Sequence, residues 1–274
     1  MHNIIVLIAT TPRVSMLKEN ALPSIINQTV QPTAVVIVSD RRSLNKDEVL
    51  CFNTTIGKEI PLYTITNSNK AGVAGSWNTG IDFISKKYPE SYIAIIDDDD
   101  QWHTNHLSTC ISHSANGTAD VVLSGINVIT NKKKVKANIP LNISINDFLV
   151  GNPGWQGSNT FIKANLAIKI GGFTNGQISG NDRDFAIRVL ESEAVKITYT
   201  TEATVDWRCN QSPEALSAPG SKQKLKGYAQ FLKLHGHKMS SKERSSFFAR
   251  SEQLFSISKQ DILKELELLT SANE

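Results

Sequence analysis

Four short runs of β-branched and aromatic residues, each closing on a cluster of polar groups, constrain what this chain folds into more than any other feature. Ile4–Ala9, Ala34–Val38, Leu62–Thr66 and Tyr92–Ile96 have strand length and are bounded by turn residues. Most of their positions are apolar without alternation, the pattern of strands covered on both faces. Between them, Val14–Asn27 and Ser76–Lys87 carry apolar residues at helical spacing. This alternation predicts an α/β fold, a mainly parallel sheet with helices on both faces. Ligands of such sheets bind at the carboxyl ends of the strands. Here those ends are Thr10-Thr11-Pro12-Arg13, Ser39-Asp40-Arg41-Arg42, Asn67-Ser68-Asn69-Lys70 and Asp97-Asp98-Asp99-Asp100.

After residue 120 the pattern changes. Asp120–Thr130 and Lys134–Ile139 read as strands around the turn Asn131-Lys132-Lys133, Ser158–Ile162 as a further strand, and Lys163–Ile170 as the start of a helix. The expected organisation is one domain over 1–221, with a ligand-binding half (1–120) and a cleft-wall half (121–221). A helical extension over 222–274 follows. Residues 222–250 hold eight Lys or Arg against the single acid Glu243, although the whole chain carries only +3.

The longest aliphatic run, Ile4–Ala9, is far shorter than the roughly 18 residues of a membrane span. No secretory leader pattern opens the chain, so a cytoplasmic location is expected. Cys51, Cys110 and Cys209 are odd in number and lack metal-ligand spacing, which points to neither a disulfide framework nor a zinc site. His103, His106 and His113 lack the i, i+4 spacing of a helical ligand pair and read as exposed polar positions.

The four consecutive aspartates carry the strongest chemical signal. Packed carboxylates repel and raise one another's pKa unless a cation or hydrogen-bond donors neutralise them. An oxygen-only donor set suits Mg2+ or Mn2+ rather than zinc. A solvated acidic turn or a helix N-terminus is the alternative. Both Asp97-x-Asp99 and Asp98-x-Asp100 satisfy a two-residue metal-ligand spacing.

Ile95 through Trp102 resembles the DxD segment of glycosyltransferase family 2, the nucleotide-sugar-dependent transferases of GT-A fold. Other segments agree in order: Ile8–Arg13, Val36–Asp40, Gly72 through Asn78-Thr79-Gly80, Gly157-Ser158 with Gly171-Gly172-Phe173, and Gly180 through Arg188. Pro12 stands where an Asn is commoner, Arg41-Arg42 where Gly-Ser is usual, and Asn181-Asp182 where the family has Glu-Asp. The resemblance covers roughly residues 3–210.

It implies an inverting glycosyltransferase that moves a sugar from a nucleotide-sugar, a UDP-sugar in the first place, to a saccharide or lipid-linked saccharide hydroxyl. Bacterial surface polysaccharide synthesis is the commonest setting for such enzymes. Asp99 would hold Mn2+ or Mg2+, with Asp97 nearer the ribose and Asp182 the catalytic base. Thr10, Arg13, Asp40, Gly72, Asn78, Asp97 and Asp98 would line the nucleotide-sugar site, with Asp40 reading the base. Gly72 admits two readings, close backbone approach to the ligand or a loop glycine. Trp155, Gly157, Ser158, Asn181, Trp207 and Arg208 fall on the acceptor side, the two tryptophans as sugar-stacking or core residues. Arg208, His235 and His237 are candidates for a metal or diphosphate ligand. If a helix follows Asp184, Asp182 and Asp184 lie about 200° apart and cannot both face the cleft.

Three readings compete for the basic stretch 222–250: a solvated helix face, contact with a phosphate-rich acceptor, and peripheral contact with anionic lipid. No nucleic-acid recognition motif accompanies it, and nucleic acid is not an expected partner. The rival functions are a sugar nucleotidyltransferase, which lacks here its early glycine-rich Arg-Lys loop, and a catalytically silent nucleotide- or glycan-binding module.

Overall fold

The computed structural model describes residues 3–209 and 220–271. Strands β1 (Ile4–Thr10), β2 (Ala34–Ser39), β3 (Leu62–Thr66) and β4 (Tyr92–Asp97) pair in parallel in the order β3-β2-β1-β4. Helix α1, residues 14–26 with a π turn at Leu17–Ala21, connects the first pair. α2 (Lys46–Ile56) connects the second pair, and α3 (Val73–Lys87) crosses from β3 to β4. Every residue of β1 and β2 is buried because both faces are covered. Ile5 and Leu7 join one core, whereas Ile4, Val6 and Ile8 join the other.

The second half continues the same sheet with mixed direction. β5 (Gln101–Trp102) and α4 (His106–His113) lead to β6 (Val121–Thr130) and its hairpin partner β7 (Lys133–Asn138). After α5 (Ile145–Val150), the antiparallel β8 (Thr160–Lys163) inserts between β4 and β6. α6 (Ala164–Lys169) and α7 (Asn181–Glu191) then lead to β9 (Ile197–Arg208), parallel to β6. The basic stretch is two helices rather than one, α8 (Lys222–His235) and α9 (Ser241–Phe255), and α10 (Lys259–Ser271) ends the described chain. Tyr228, Phe231, Phe247 and Ile262 from these helices enter the same core as Phe185 of α7. No helix among the described residues is long and apolar enough to cross a membrane.

One expectation changes at this level, that for His106, and Trp155 takes the core position among its two readings. His106 is not exposed: it is buried, Nδ1 lies 2.8 Å from Thr204 Oγ1, and its ring stacks on Trp102. Trp155 is 1% exposed, sits edge-on to Phe148 and Phe185, and donates Nε1–H to Thr160 Oγ1 at 2.8 Å. It has no open face for a sugar. Asn78 is occupied as well, its Nδ2 donating to the Phe173 carbonyl at 2.8 Å while its Oδ1 accepts the Phe173 N–H at 2.7 Å. That clamp fastens α3 to the loop after α6, and each end of the amide retains one further hydrogen-bonding position.

Asn78→Ala would strand both backbone groups of the buried Phe173 at this junction. A loss of about 2–4 kcal/mol in urea unfolding is expected from unpairing them. A loss below about 0.5 kcal/mol, the ordinary surface range, would mean that the clamp is not structural.

Candidate active site

β1 is the point at which the strand order reverses: β2 and β3 extend to one side of it and β4 to the other, with Ala9 opposite Asp97. Crevices at such reversals are where open α/β sheets bind ligands. The turn after β4, closed by Asp100 N–H to the Asp97 carbonyl at 3.2 Å, fills this one with aspartates.

The four carboxylates divide into two pairs. Asp98 is 1% exposed: Thr10 Oγ1 donates to its Oδ2 at 2.5 Å, Arg13 Nε donates to the same oxygen at 3.0 Å, and Arg13 Nη2 donates to Oδ1. Asp100 is equally buried: Ser158 Oγ donates to its Oδ2 at 2.5 Å, and the Arg208 backbone N–H donates to Oδ1 at 2.9 Å. Asp97 and Asp99 are half-buried and keep outward-facing surface. Of the two equal spacings in the sequence, only Asp97-x-Asp99 presents two carboxylates not already engaged inside the fold.

Charge is dense here. Burial, and then Asp100, Asp99, Asp182 and Asp98, hold the Asp97 carboxyl well above the usual range. Burial raises Asp100 to about 8, with Asp99 adding to the rise against the Ser158 and Arg208 donors. Arg13 is the nearest cation, with Nη1 3.4 Å from Asp99 Oδ2. A hard divalent ion fits this donor chemistry: two half-exposed carboxylates in a site with surplus negative charge. No group of three or more metal-ligating side chains occurs among the described residues. An ion held by Asp97 and Asp99 would therefore complete its shell with water or ligand oxygens.

Asp182 approaches from the other wall, in the first turn of α7. Burial raises its pKa to about 6, against the opposing pull of Lys224 and of the backbone N–H groups of Gly157 and Asp182. Gly157 lies between the two acidic groups. A β-carbon there would stand 3.6 Å from Asp97 Oδ1 and 2.9 Å from Trp77 Cζ2, so the close packing requires glycine. Ser158 fixes this turn to the aspartates: its Oγ accepts the Asp97 N–H at 3.0 Å, and its carbonyl accepts Trp102 Nε1–H at 2.7 Å.

Asp184 has a different fate. It is buried, accepts from Arg188 at 2.8 Å and Thr174 at 2.8 Å, and lies 2.9 Å from His235 Nε2. The two acids thus face opposite surroundings, as their helical offset predicts. His235 is thereby a core residue, whereas His237 is exposed.

Asp40 is 3% exposed, and its two oxygens accept from Asn67 Nδ2 at 2.8 Å and Gly72 N–H at 3.0 Å. Its first effect is to pin the 67–72 loop beside Thr10, whose carbonyl accepts the Asp40 N–H. Each carboxylate oxygen retains acceptor capacity. Gly72 has φ +125° with open space where a β-carbon would stand, so its backbone conformation rather than crowding demands glycine. Asn181 is buried, and its Oδ1 has no partner among the described residues. Trp207 is half-buried beside Val128 in the sheet. Arg208 donates Nη2–H to Gln101 at 2.7 Å, and its buried Nε has no partner among the described residues.

The structure thus gathers Thr10, Arg13, Asp40, Gly72 and Asp97–Asp99 on one side of the crevice, with Gly157, Ser158, Asp182 and Arg208 on the other. Lys224, whose field reaches Asp182, reads from the sequence as one of three exposed lysines of the basic stretch, with Lys222 and Lys226, whereas the structure half-buries it. Arg13→Ala should destabilise the fold by about 1–3 kcal/mol at pH 7.5, below the cost of breaking a fully buried pair because Arg13 is half-exposed. The loss should shrink at pH 5, because without the arginine Asp98 takes up a proton more readily and its charge no longer needs a partner. Urea unfolding at the two pH values checks this; an equal loss at both would assign the effect to packing.

The fold and this geometry can be set beside known proteins. Glycosyl transferase family 2 matches residues 6–184, more than half of the chain. The structure of S. aureus TarS 1–349 in complex with UDP-GlcNAc superposes with a TM-score of 0.64 at 14% identity, covering 94% of this chain and 74% of that one. The mannosyltransferase PcManGT from Pyrobaculum calidifontis, in complex with GDP-Man and Mn2+, gives 0.59 at 14% identity and covers 99% and 75%. No curated protein sequence matches significantly. At these identities the structural likeness speaks for the fold, a GT-A fold as the family resemblance implies. The match over most of the first 184 residues carries the assignment: this chain belongs to glycosyltransferase family 2.

Proposed function

We propose that the protein transfers a sugar from a nucleotide-sugar to a saccharide hydroxyl with inversion at the anomeric carbon, with Asp182 as the base. The observation that carries this reading is the placement of Asp182 beyond Gly157 from the outward carboxylates Asp97 and Asp99. A donor with its diphosphate at the Asp97–Asp99 edge directs its sugar toward the opposite wall. Asp182 there accepts the proton of the acceptor hydroxyl. The hydroxyl oxygen bonds to the anomeric carbon as the bond from that carbon to the diphosphate oxygen breaks. Attack from the face opposite the leaving group inverts the centre, so an α-linked donor gives a β-linked product.

Asp97 and Asp99 are the residues we assign to Mn2+ or Mg2+, which when bound offsets the charge that builds on the leaving diphosphate. The PcManGT complex, which contains Mn2+ with its nucleotide-sugar, supports this assignment. The nucleotide in our reading is UDP, in line with the UDP-GlcNAc complex of TarS, with Asp40 toward the base. Assembly of bacterial surface polysaccharide is the setting we favour, on family resemblance.

Two outcomes follow. Asp182→Asn should bind UDP as the parent does yet lose about 100-fold or more in turnover, the lower range for a lost general base. Product NMR should find inversion; retention, or normal turnover by Asp182→Asn, would end the assignment. The base must be ionised to work, and Asp182 is raised to about 6. The kcat/KM of the parent should therefore fall as pH drops through about 6, and a flat profile between pH 5 and 7 would contradict this role.

A further inference from the structure

α7 presents Asp182 and Arg183 side by side, and α8 and α9 close over them. The Arg183 guanidinium lies 3.9 Å from the centre of the Phe231 ring and 5.6 Å from that of Phe247. Its Nε and Nη2 donate only to the carbonyls of Phe148 and Leu149. The Lys224 ammonium lies 4.5 Å from the Phe255 ring centre and 5.8 Å from that of Tyr228. Tyr228 in turn contacts Phe247 at 5.1 Å and Phe255 at 5.9 Å between ring centres, so both cations stand on one aromatic cluster. Arg250 adds a third positive charge at its edge: a β-carbon on Gly151 would come within 2.8 Å of Arg250 Nε.

Among the described residues, none of these three cations forms a salt bridge. Among the described residues, the only acid in the field of Lys224 is Asp182, while Arg183 and Arg250 repel it. Burial and that repulsion lower Lys224 to about 8. Aromatic faces offset the half-buried charges of Lys224 and Arg183 only in part, and these stay costly until an anion joins them.

We propose that Lys224, Arg183 and Arg250 form a subsite for a phosphate group on the acceptor, beside the carboxylate that takes the proton of the acceptor's hydroxyl. The acceptor is then a saccharide that carries a phosphomonoester or phosphodiester rather than a neutral sugar. This deepens the reading of Asp182 as the base and rests on it. The donor diphosphate has the same chemistry, but Arg13 and the Asp97–Asp99 edge belong to the other wall. The cations here come from α7, α8 and α9, on the side of Asp182.

The test titrates inorganic phosphate by calorimetry into the full chain already saturated with UDP and Mg2+, which fills the donor site first. The parent should bind phosphate under these conditions, more weakly as salt rises. Lys224→Gln and the exposed Arg250→Gln should each weaken phosphate by about tenfold, as loss of one charged hydrogen-bonding partner does. Lys222→Gln, at an exposed position two residues before Lys224 and about 200° around α8 from it, should stay within about twofold of the parent. UDP affinity should be the same in all four proteins. Phosphate that no longer binds once UDP saturates would return the anion site to the donor, and equal affinity in Lys224→Gln, Arg250→Gln and the parent would remove the cluster from it. Binding is read without turnover, so failure here is separate from failure of Asp182 as the base, which the pH profile and the product anomer report.

Discussion

The buried carboxylate of Asp100 is the interaction on which the site depends. One oxygen holds Ser158 and the other holds the Arg208 backbone, so the turn before β8 and the end of β9 are both drawn to the end of β4. The same edge is reinforced by the Asp97 N–H donating to Ser158 Oγ and by the pairing of β5 with β9, and together these contacts seat Gly157 against Asp97. Burial makes the ionised Asp100 costly, and its donors lessen that cost without removing it. Asp98 is treated alike by Thr10 and Arg13. Two aspartates thus build the crevice and two face it.

The opposite wall is made by packing. α7 carries Asp182 at its start, and Phe185 from its second turn stacks on Phe173 with ring centres 4.2 Å apart. The C-terminal helices cover the remaining side of α7 with Phe231 and Phe247, and place Lys224 and Arg250 around its first turn. Asp182 is therefore desolvated by burial, whose effect Lys224 opposes from a segment that sequence alone reads as an extension. Asp184, two residues on, is withdrawn from the crevice by Arg188 and His235.

How much of this was legible in the sequence follows from the physics of each element. β1 to β4 were, because strands buried on both faces leave uninterrupted apolar runs. Their polar carboxyl ends were legible too, and so was the Asp182–Asp184 division, a matter of helical angle. β9 was not: Thr200, Thr201, Glu202 and Asp206 interrupt its pattern, and its pairing with β6 and β5 supplies what periodicity lacks. α2 was signalled, although not singled out, by Asn45 and Glu48, whose reciprocal capping hydrogen bonds mark its start. Asn78 and Trp155 carry residue types that suit ligand binding as well as they suit a backbone clamp or a core. Only the positions of Phe173, Phe148 and Phe185 decide between those uses. The choice between Asp97-x-Asp99 and Asp98-x-Asp100 is of the same kind, since it depends on where Arg13, Ser158 and Arg208 arrive from distant parts of the chain.

Calorimetric titration of UDP with and without Mn2+ on Asp99→Asn and Asp98→Asn probes the division of the four aspartates. Asp99→Asn should lose the Mn2+-dependent gain in UDP affinity while keeping the parent's melting temperature. Asp98→Asn should keep a Mn2+-dependent gain while melting lower, because its neutral amide weakens the pairing with Arg13. A Mn2+ response retained by Asp99→Asn and abolished in a normally stable Asp98→Asn would contradict that division.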